Sequence, residues 1–369
     1  MSNHIMGAVL AFVLLLAGTA GTADAAKTRV AVDGTDGPGC GTKSTPCRTI
    51  SRGIEETPEG GVVEVGPGRY GDVNANGILD DVEDEPVSSC DTCTLLITKR
   101  VTIISRLGAE ATVIDAGGMP TTVRIEAPGV VFGRRKRGFT VTGSSVRGLI
   151  SSGGKIRIEG NIATGNLSAG FDISGPGSPV IVGNLSYANE GSGFVIDTRD
   201  PALIVGNRAV ANGLEAGNGG IGFFIKSSGT RLAKNIASGN DGPGFDLTRR
   251  AEATQNTATA NRGDGFRIDG TGHRMHGNFL SGNGGPGLRL KRDSTAFVTK
   301  NTIIGNDAGR NCGILNLSEN TIDAPKNYFG PAGPGANPAD EICDERPGSV
   351  TLVSPVAPKA FRIRVKPAQ

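Results

Sequence analysis

The chain has 369 residues, including 58 glycines and 20 prolines, no tryptophan, and a formal net charge of +2. The balanced charge gives no reason to expect a nucleic-acid partner. Glycine is abundant without the three-residue period of collagen, which excludes that class and favours a β structure with many tight turns.

The N-terminus carries an apolar run, from residue 5 to residue 22, that is followed by the small-x-small triplet Ala23-Asp24-Ala25. This pattern predicts a secretory signal peptide over residues 1–26, cut near Ala25 or Ala26. Because no Lys or Arg precedes the run, an uncleaved anchor is the alternative. No later segment is long and apolar enough to span a membrane, so none is predicted in the mature chain. We therefore expect a secreted, cell-surface or periplasmic protein.

Residues 27–60 are predicted to form an N-terminal cap. Val30–Val32 has the character of a short strand. Ile50 and Ile54 have helical spacing within residues 47–56, which predicts a short helix over the first coil of the repeat structure described below. Such a cap is needed because the open end of a repeat structure exposes its core and its strand edges.

The six cysteines fall in three clusters, which are Cys40 with Cys47, Cys90 with Cys93, and Cys312 with Cys343. An even number of cysteines in an exported chain indicates disulfides, and pairing within each cluster is the simplest of the possible connectivities. The alternative for Cys90 and Cys93 is a redox C-x-x-C motif or half of a zinc site. Either one needs a companion that the sequence lacks, namely a thioredoxin-like βαβ pattern or a second C-x-x-C.

An insertion predicted at residues 71–94 matches the calcium loop D-x-[DN]-x-[DN]-G-x5-E, with Gly77 at the sharp turn. The predicted Ca2+ ligands are Asp72, Asn74, Asn76, Ile78 through its carbonyl, Asp80 and Glu83. The loop resembles those of EF-hands and dockerins, which implies a single extracellular-type site that makes the insertion rigid. The alternative is a solvated acidic loop that matches the motif by chance.

From Asn161 to Ile314 one short pattern recurs. Asparagines spaced 21 to 28 residues apart each have a second asparagine five positions on, giving the pairs Asn161/Asn166, Asn184/Asn189, Asn207/Asn212, Asn235/Asn240, Asn256/Asn261, Asn278/Asn283 and Asn301/Asn306. After each pair comes a glycine and a large apolar residue, such as Gly222-Phe223, and the apolar alternation that follows has the strand period. With two further apolar columns, this predicts three short parallel strands in each repeat.

The polar residues of the repeat are predicted to shape its corners. We expect the asparagines to adopt the left-handed conformation there and to form hydrogen-bonded ladders from coil to coil. We expect the glycine before each phenylalanine to adopt a positive φ.

These N-x-x-x-x-N…G-F-x-I repeats resemble the right-handed parallel β-helix repeat proteins of the pectate-lyase-like superfamily. The resemblance implies an all-β fold: a right-handed parallel β-helix, or solenoid, over residues 61–345, with a short N-terminal capping helix and a C-terminal cap. Residues 346–369 would form C-terminal strands or a tail. Because this fold hosts lyases, hydrolases, epimerases and adhesins, the resemblance implies no single activity.

If the Phe and Ile side chains of each repeat point inward, the residues between and after them point outward. On the resulting face the best catalytic candidates are Asp246, Asp269, Arg267 and Lys226. Polysaccharide lyases and hydrolases of this fold use such a face, where carboxylates bind calcium or act as acid and base and Arg or Lys abstracts a proton. The alternative is a ladder of alternating charges that keeps an exposed sheet soluble.

Few other residues on the coils have the chemistry of a site. Tyr187 and Phe224 are the aromatic residues placed to stack on a sugar. His273 and His276 are candidate acid-base or metal residues, with a surface pair as the simpler interpretation. The D-P-H-D motif of alginate epimerases and the G-H-G motif of polygalacturonases are absent from the sequence.

We therefore predict an exported, monomeric β-helix protein that interacts with a polysaccharide or cell-surface glycan. The sequence leaves open whether the protein also cleaves that glycan, as a polysaccharide lyase or glycoside hydrolase would. The alternative is a non-catalytic structural or adhesive surface solenoid.

Overall fold

The computed structural model describes residues 27–79, 90–213, 219–330, 341–345, 350–353, 357 and 359. Within these residues the chain forms the predicted all-β, right-handed parallel β-helix. One α-helix, Ile50–Glu56, and one short 3-10 helix, Ala109–Ala111, interrupt the strands. In this part of the chain no helix is long and apolar enough to cross a membrane. The predicted signal peptide and the predicted calcium ligands Asp80 and Glu83 lie outside the described residues.

The coils stack into three parallel sheets. Sheet I consists of Lys27–Val30, Val62–Val65, Thr102–Ser105, Val131–Phe132, Arg157–Glu159, Val180–Val182, Leu203–Val205, Thr230–Ala233, Ala251–Thr254, His273–His276, Ala296–Thr299, Thr321–Asp323 and Val350–Leu352. Sheet II consists of Cys93–Ile97, Thr121–Ile125, Arg147–Ser151, Phe171–Gly175, Phe194–Thr198, Phe223–Ile225, Phe245–Leu247, Phe266–Ile268, Leu288–Leu290, Ile314–Asn316 and Ile342–Asp344. Sheet III consists of Gly68–Gly71, Thr112–Asp115, Thr140–Thr142, Ile162–Thr164, Leu185–Tyr187, Arg208–Val210, Ile236–Ser238, Thr257–Thr259, Phe279–Ser281 and Thr302–Ile304. Each strand pairs with its counterpart one coil away, so equivalent side chains lie above one another.

The phenylalanines of the repeat stack inside the solenoid. Phe171, Phe194, Phe223, Phe245 and Phe266 are fully buried, and successive ring centroids lie 4.3 to 4.9 Å apart with nearly parallel planes. This spacing matches the separation of adjacent strands, so the strand register alone brings ring over ring. Each buried phenylalanine contributes roughly 1.5–3 kcal/mol of hydrophobic free energy.

The predicted asparagine ladders are present and buried. Asn235 shows the pattern, because its Oδ1 accepts hydrogen bonds from the backbone N–H and the Nδ2 of Asn207 at 2.9 and 3.1 Å. Its own Nδ2 donates to the Ile204 carbonyl and to Oδ1 of Asn256, both at 2.9 Å. Each amide therefore satisfies backbone groups at a corner and joins that corner to the coils on both sides. One ladder continues to Asn327, beyond the predicted repeats.

Two of the predicted backbone conformations are wrong. The left-handed residue at each corner precedes the ladder asparagine, as at Ala211, Gly239 and Ala260, where φ is +52°, +64° and +53°. The glycine before each phenylalanine does not have a positive φ. At Gly222 an added Cβ would lie 2.5 Å from a carbonyl oxygen of the next coil and 2.9 Å from the Cβ of Ala237. Close approach of the coils, rather than φ, therefore requires glycine at this position.

We expect Gly222→Ala to destabilise the fold by roughly 2–3 kcal/mol, because its methyl group would overpack two coils. Gly239→Ala is the matched control, since a Cβ there meets open space and the neighbouring coils already carry left-handed alanines. Its cost should stay at about 1 kcal/mol, the strain of a left-handed residue. Urea unfolding followed by circular dichroism measures both losses, and equal losses would contradict the steric explanation.

A short helix covers the first coil, and three disulfides link neighbouring segments of the chain. The helix Ile50–Glu56 begins after Thr49, whose hydroxyl accepts a hydrogen bond from the Arg52 N–H at 3.1 Å. It buries Ile50 and Ile54 against the first coil, as the sequence predicts. The predicted disulfide connectivity is confirmed, with bonds Cys40–Cys47, Cys90–Cys93 and Cys312–Cys343.

Candidate functional site

The outward face of sheet II carries the side-chain column that the repeat predicts. Residues on successive strands lie in register in the order Arg124, Ile150, Asp172, Val195, Phe224, Asp246, Arg267 and Arg289. The column starts earlier than predicted. Arg124 and Ile150 belong to coils without asparagine pairs, so the repeat pattern does not reach them.

A groove of about 540 Å³ lies across this face and is called the sheet II groove. Its charged and aromatic lining residues are Arg124, Arg147, Asp172, Asp197, Phe224 and Lys226. Arg147 Nε lies 2.7 Å from Asp172 Oδ2 on the next coil. Lys226 Nζ lies 4.8 Å from the ring centre of Phe224 and 3.8 Å from Asp197 Oδ2. The groove thus places cations, carboxyl groups and an aromatic ring side by side.

Asp172 is the most unusual titratable group in this groove. Burial raises the pKa of its carboxyl group, against the opposing effect of Arg147 and Lys226, and the nearby Asp197 raises the pKa further. The side chain is still 21% exposed, so a ligand in the groove can reach it. A carboxyl group with a raised pKa beside two cations is a candidate proton donor.

Further along the same face, Asp264 holds two guanidinium groups. Its side chain is only 2% exposed and accepts hydrogen bonds from Arg267 Nε at 3.0 Å and from Arg289 Nε and Nη2, both at 2.9 Å. The hydrogen bond to Asp264 raises the pKa of Arg289. Both arginines are therefore held in fixed orientations by one buried carboxylate.

Asp246 is predicted to point outward, yet it is only 4% exposed. It lies between Phe224 and Arg267 on the adjacent strands, with Oδ2 3.7 Å from Arg267 Nη1. Its Oδ1 has no hydrogen-bond partner among the described residues. Burial raises the pKa of this carboxyl group, and Arg267 and Lys291 offset the effect only in part. Asp246 is thus a poorly compensated buried acid.

We expect Asp246→Asn to stabilise the fold at pH 7 by about 1 kcal/mol, because the amide removes a buried charge. The pKa of Asp246 is higher in the folded than in the unfolded state, so wild-type stability falls as pH rises above 3.8 through the folded-state pKa. The gain should therefore vanish below pH 3.8. Denaturant unfolding at acid and neutral pH measures it, with the half-exposed Asp269→Asn as a control of little effect. A loss of stability at pH 7 in Asp246→Asn would refute this explanation.

The four predicted catalytic residues fall into separate groups. Lys226 lines the sheet II groove together with Asp172. Asp246 and Arg267 are adjacent on neighbouring strands. Asp269 lies apart from them, with Oδ2 3.5 Å from Lys291 Nζ. Asp264 is missed by the sequence analysis. The signal that could have found it is its charge, because the equivalent positions of the other repeats hold Ala169, Ser192, Ile221, Pro243, Pro286 and Cys312.

The predicted aromatic and histidine sites separate as well. Phe224 lines the sheet II groove, whereas Tyr187 is 41% exposed on sheet III. His276 is exposed as expected, but His273 is buried, so the predicted surface pair is wrong. The two histidines differ because alternate residues of the strand His273–His276 face the core and the solvent.

In the described part of the predicted calcium loop, side chains of the loop accept hydrogen bonds from its backbone and stabilise its turns. Asp72 is buried, and its carboxylate accepts hydrogen bonds from the N–H groups of Asn76 and Gly77 at 3.1 and 2.7 Å. The side chains of Asn74 and Asn76 each accept from the N–H two residues on, both at 2.8 Å. Gly77 has φ +84°, as the sharp turn requires. This set of oxygen donors fits Ca2+, and binding of the ion stays a prediction.

The comparisons with known proteins give information about the fold of this chain. Residues 222–329 match the family model described as "Right handed beta helix region". No curated protein matches the chain significantly.

Several solved structures are similar to this chain. The A-module of mannuronan C-5 epimerase AlgE4 from Azotobacter vinelandii is 15% identical, with a TM-score of 0.49 over 82% of this chain and 90% of that one. Pectate lyase Pel9A is 17% identical, with a TM-score of 0.42 over 91% of this chain and 80% of that one. A rhamnogalacturonan lyase is 14% identical, with a TM-score of 0.35 over 80% of this chain and 74% of that one. At these identities the likeness is one of fold, and function has to be inferred from the outward face of sheet II itself.

Proposed function

We propose that this protein binds an acidic polysaccharide in the sheet II groove. The observation that carries the proposal is the grouping of Arg124, Arg147 and Lys226 around Phe224 on a continuous face of parallel strands. Guanidinium and ammonium groups bind carboxylates, and an aromatic ring packs on the apolar face of a sugar. Because coils repeat every ~4.8 Å, an extended polymer along the axis would meet successive coils of the same face.

The charge of the groove favours an acidic over a neutral polymer. Its three cations face the carboxyl groups of Asp172 and Asp197, and burial raises the pKa of Asp172. Among the lining residues the three cations outnumber the two carboxyl groups, and the excess is larger when Asp172 is protonated. Glu126, outside the lining, lies 3.1 Å from Arg124 Nε and offsets part of this charge. Such a groove attracts anionic ligands and does so less at high salt.

A second candidate function, cleavage of the bound polymer, is favoured by the presence of Asp172 and Lys226 in one groove. Elimination needs a base that takes the proton next to the sugar carboxylate and an acid that protonates the leaving glycosidic oxygen. In this step Lys226 would act as the base in its neutral amine form, and Asp172 as the acid in its protonated form. Arg147, 2.7 Å from Asp172, would then hold the sugar carboxylate. Catalytic roles for Asp246, Asp269 and Arg267 stay predictions.

The test is a panel of immobilised polyuronates and neutral polysaccharides, assayed with and without calcium for retention, unsaturated ends and reducing ends. We expect retention on polyuronates and none on neutral polymers. Failure to bind any glycan would refute the binding function and leave a structural solenoid. Unsaturated ends that disappear in Lys226→Ala would establish cleavage, whereas turnover that persists in this variant would rule out Lys226 as the base.

We also propose that the protein works outside the cytoplasm. The three disulfides are of the kind that persists in an oxidising compartment. Export with removal of the predicted signal peptide would place the sheet II groove where polysaccharides occur. Sequencing the N-terminus of the exported protein tests this, since a chain that begins before Ala25 would contradict the predicted cleavage.

Calcium is proposed to stabilise the insertion through Asp72, Asn74, Asn76, Ile78, Asp80 and Glu83. We expect Ca2+ at about 1 mM to raise the melting temperature of the wild type, because an ion that binds only the folded state stabilises it. Glu83→Ala, which lacks the expected bidentate ligand, should not respond. Thermal denaturation of both proteins with and without calcium measures the effect. An unchanged wild-type melting temperature would show that the assignment is wrong.

A further inference from the structure

A second groove, of about 680 Å³, lies on the outward face of sheet I and is called the sheet I groove. It crosses the strands from Thr230–Ala233 to Thr321–Asp323. The lining residues used below are Arg231, Arg250, Arg274, Phe297 and Asp323. Sheets I and II form different sides of each coil, and none of these residues lines the sheet II groove.

Arginines make this groove positive. Arg231 is paired with Glu252 at 3.7 Å, and both side chains are exposed. Arg250 and Arg274 are also exposed, and neither forms an ion pair with the described part of the chain. The side chain of Arg250 runs over Gly272, where an added Cβ would lie 3.4 Å from Arg250 Cδ. Two guanidinium groups are thus available to bind an oxyanion in bidentate fashion.

Phe297 places an apolar ring beside these cations. It is 43% exposed and pairs in register with Arg274 on one side and with Asp323 on the other. Covering part of this ring with a ligand is favourable by roughly 25 cal/mol for each Å² of apolar surface removed from water. Next to a guanidinium group it offers a stacking surface for a ring that also carries a negative charge.

We propose that the sheet I groove is a second binding site, for a short acidic saccharide whose carboxylate binds Arg250 and Arg274. The apolar face of the sugar packs on Phe297, which lies in register with Arg274. The site goes beyond the proposed function because it lies on another sheet and does not need a polymer. It would allow one solenoid to hold two saccharides on two faces.

Calorimetric titration with trigalacturonate tests this inference. Wild type should bind at two sites, and Arg274→Ala/Phe297→Ala should weaken one of them by about tenfold or more. Arg208→Ala, an exposed arginine on sheet III, is the control and should bind like wild type.

The outcomes separate this inference from the proposed function. A single site that Arg274→Ala/Phe297→Ala leaves unchanged would overturn the inference and leave the sheet II proposal standing. A single site abolished by Arg274→Ala/Phe297→Ala but unaffected by Arg147→Ala/Lys226→Ala would support the inference and refute sheet II binding. Tighter binding of glucose 6-phosphate than of trigalacturonate at this groove would overturn the assignment to a carboxylate sugar.

Discussion

The double variant Arg267→Ala/Arg289→Ala is expected to lose roughly 3–5 kcal/mol of folding stability. The side chain of Asp264 is 2% exposed and accepts hydrogen bonds from these two arginines, at 2.9 to 3.0 Å. Without the two guanidinium groups, the Asp264 carboxylate would still be removed from water but would have no opposite charge to offset its desolvation. Each single variant leaves one guanidinium partner in place, so each should lose less than half of the total.

A double-mutant cycle measures the coupling energy between Arg267 and Arg289. It compares the free energies of unfolding of the wild type, both single variants and the double variant in denaturant. Adding Asp264→Ala to the double variant is the control, and it should recover part of the lost stability because no uncompensated charge remains. A double variant that loses under about 1 kcal/mol would show that these are ordinary surface ion pairs and would contradict the role given to Asp264.

The second large effect concerns the ligand. Arg147→Ala/Lys226→Ala is expected to weaken binding of a polyuronate in the sheet II groove by about a hundredfold, or ~2.7 kcal/mol. The physical reason is that both cations sit in the groove within reach of one ligand, together with Phe224. The measurement is calorimetry in an Arg274→Ala background, so that the sheet I groove does not contribute.

The control for this binding experiment removes the same charge elsewhere. Arg135→Ala/Arg208→Ala changes two exposed arginines that line neither groove. It should bind within about twofold of its background, since distant exposed charges are screened by salt. Equal losses in the two double variants would mean that net charge, and not the groove, attracts the polymer.

The strands and the stacked columns follow from the sequence because they depend on period, whereas the disulfides follow from the clustering of the cysteines. Phe223 and its counterparts recur with the two-residue alternation of a strand, and parallel stacking places each above the next. The reason for a glycine at position 222 does not follow from the period. Periodicity identifies a glycine column but not whether its cause is a positive φ or the approach of a neighbouring coil.

The candidate site is less predictable because its properties depend on how deeply each side chain is buried and on contacts between neighbouring coils. Asp246 has the alternation of an exposed residue, yet its neighbours on adjacent strands bury it. Arg147 lies in a coil without the asparagine pair, so no repeat pattern places it next to Asp172. Asp264 stands out in the sequence only because the equivalent position of every other repeat holds an uncharged residue.

Hydroxyl-radical footprinting with bound oligogalacturonate tests the central claim, that sheet II holds the polymer, most directly. Phe224 lies in the sheet II groove, and the exposed Tyr187 on sheet III provides an internal reference. Binding in the groove predicts that the ligand lowers oxidation of Phe224 and leaves Tyr187 unchanged. Protection of Tyr187 with unchanged oxidation of Phe224 would contradict it.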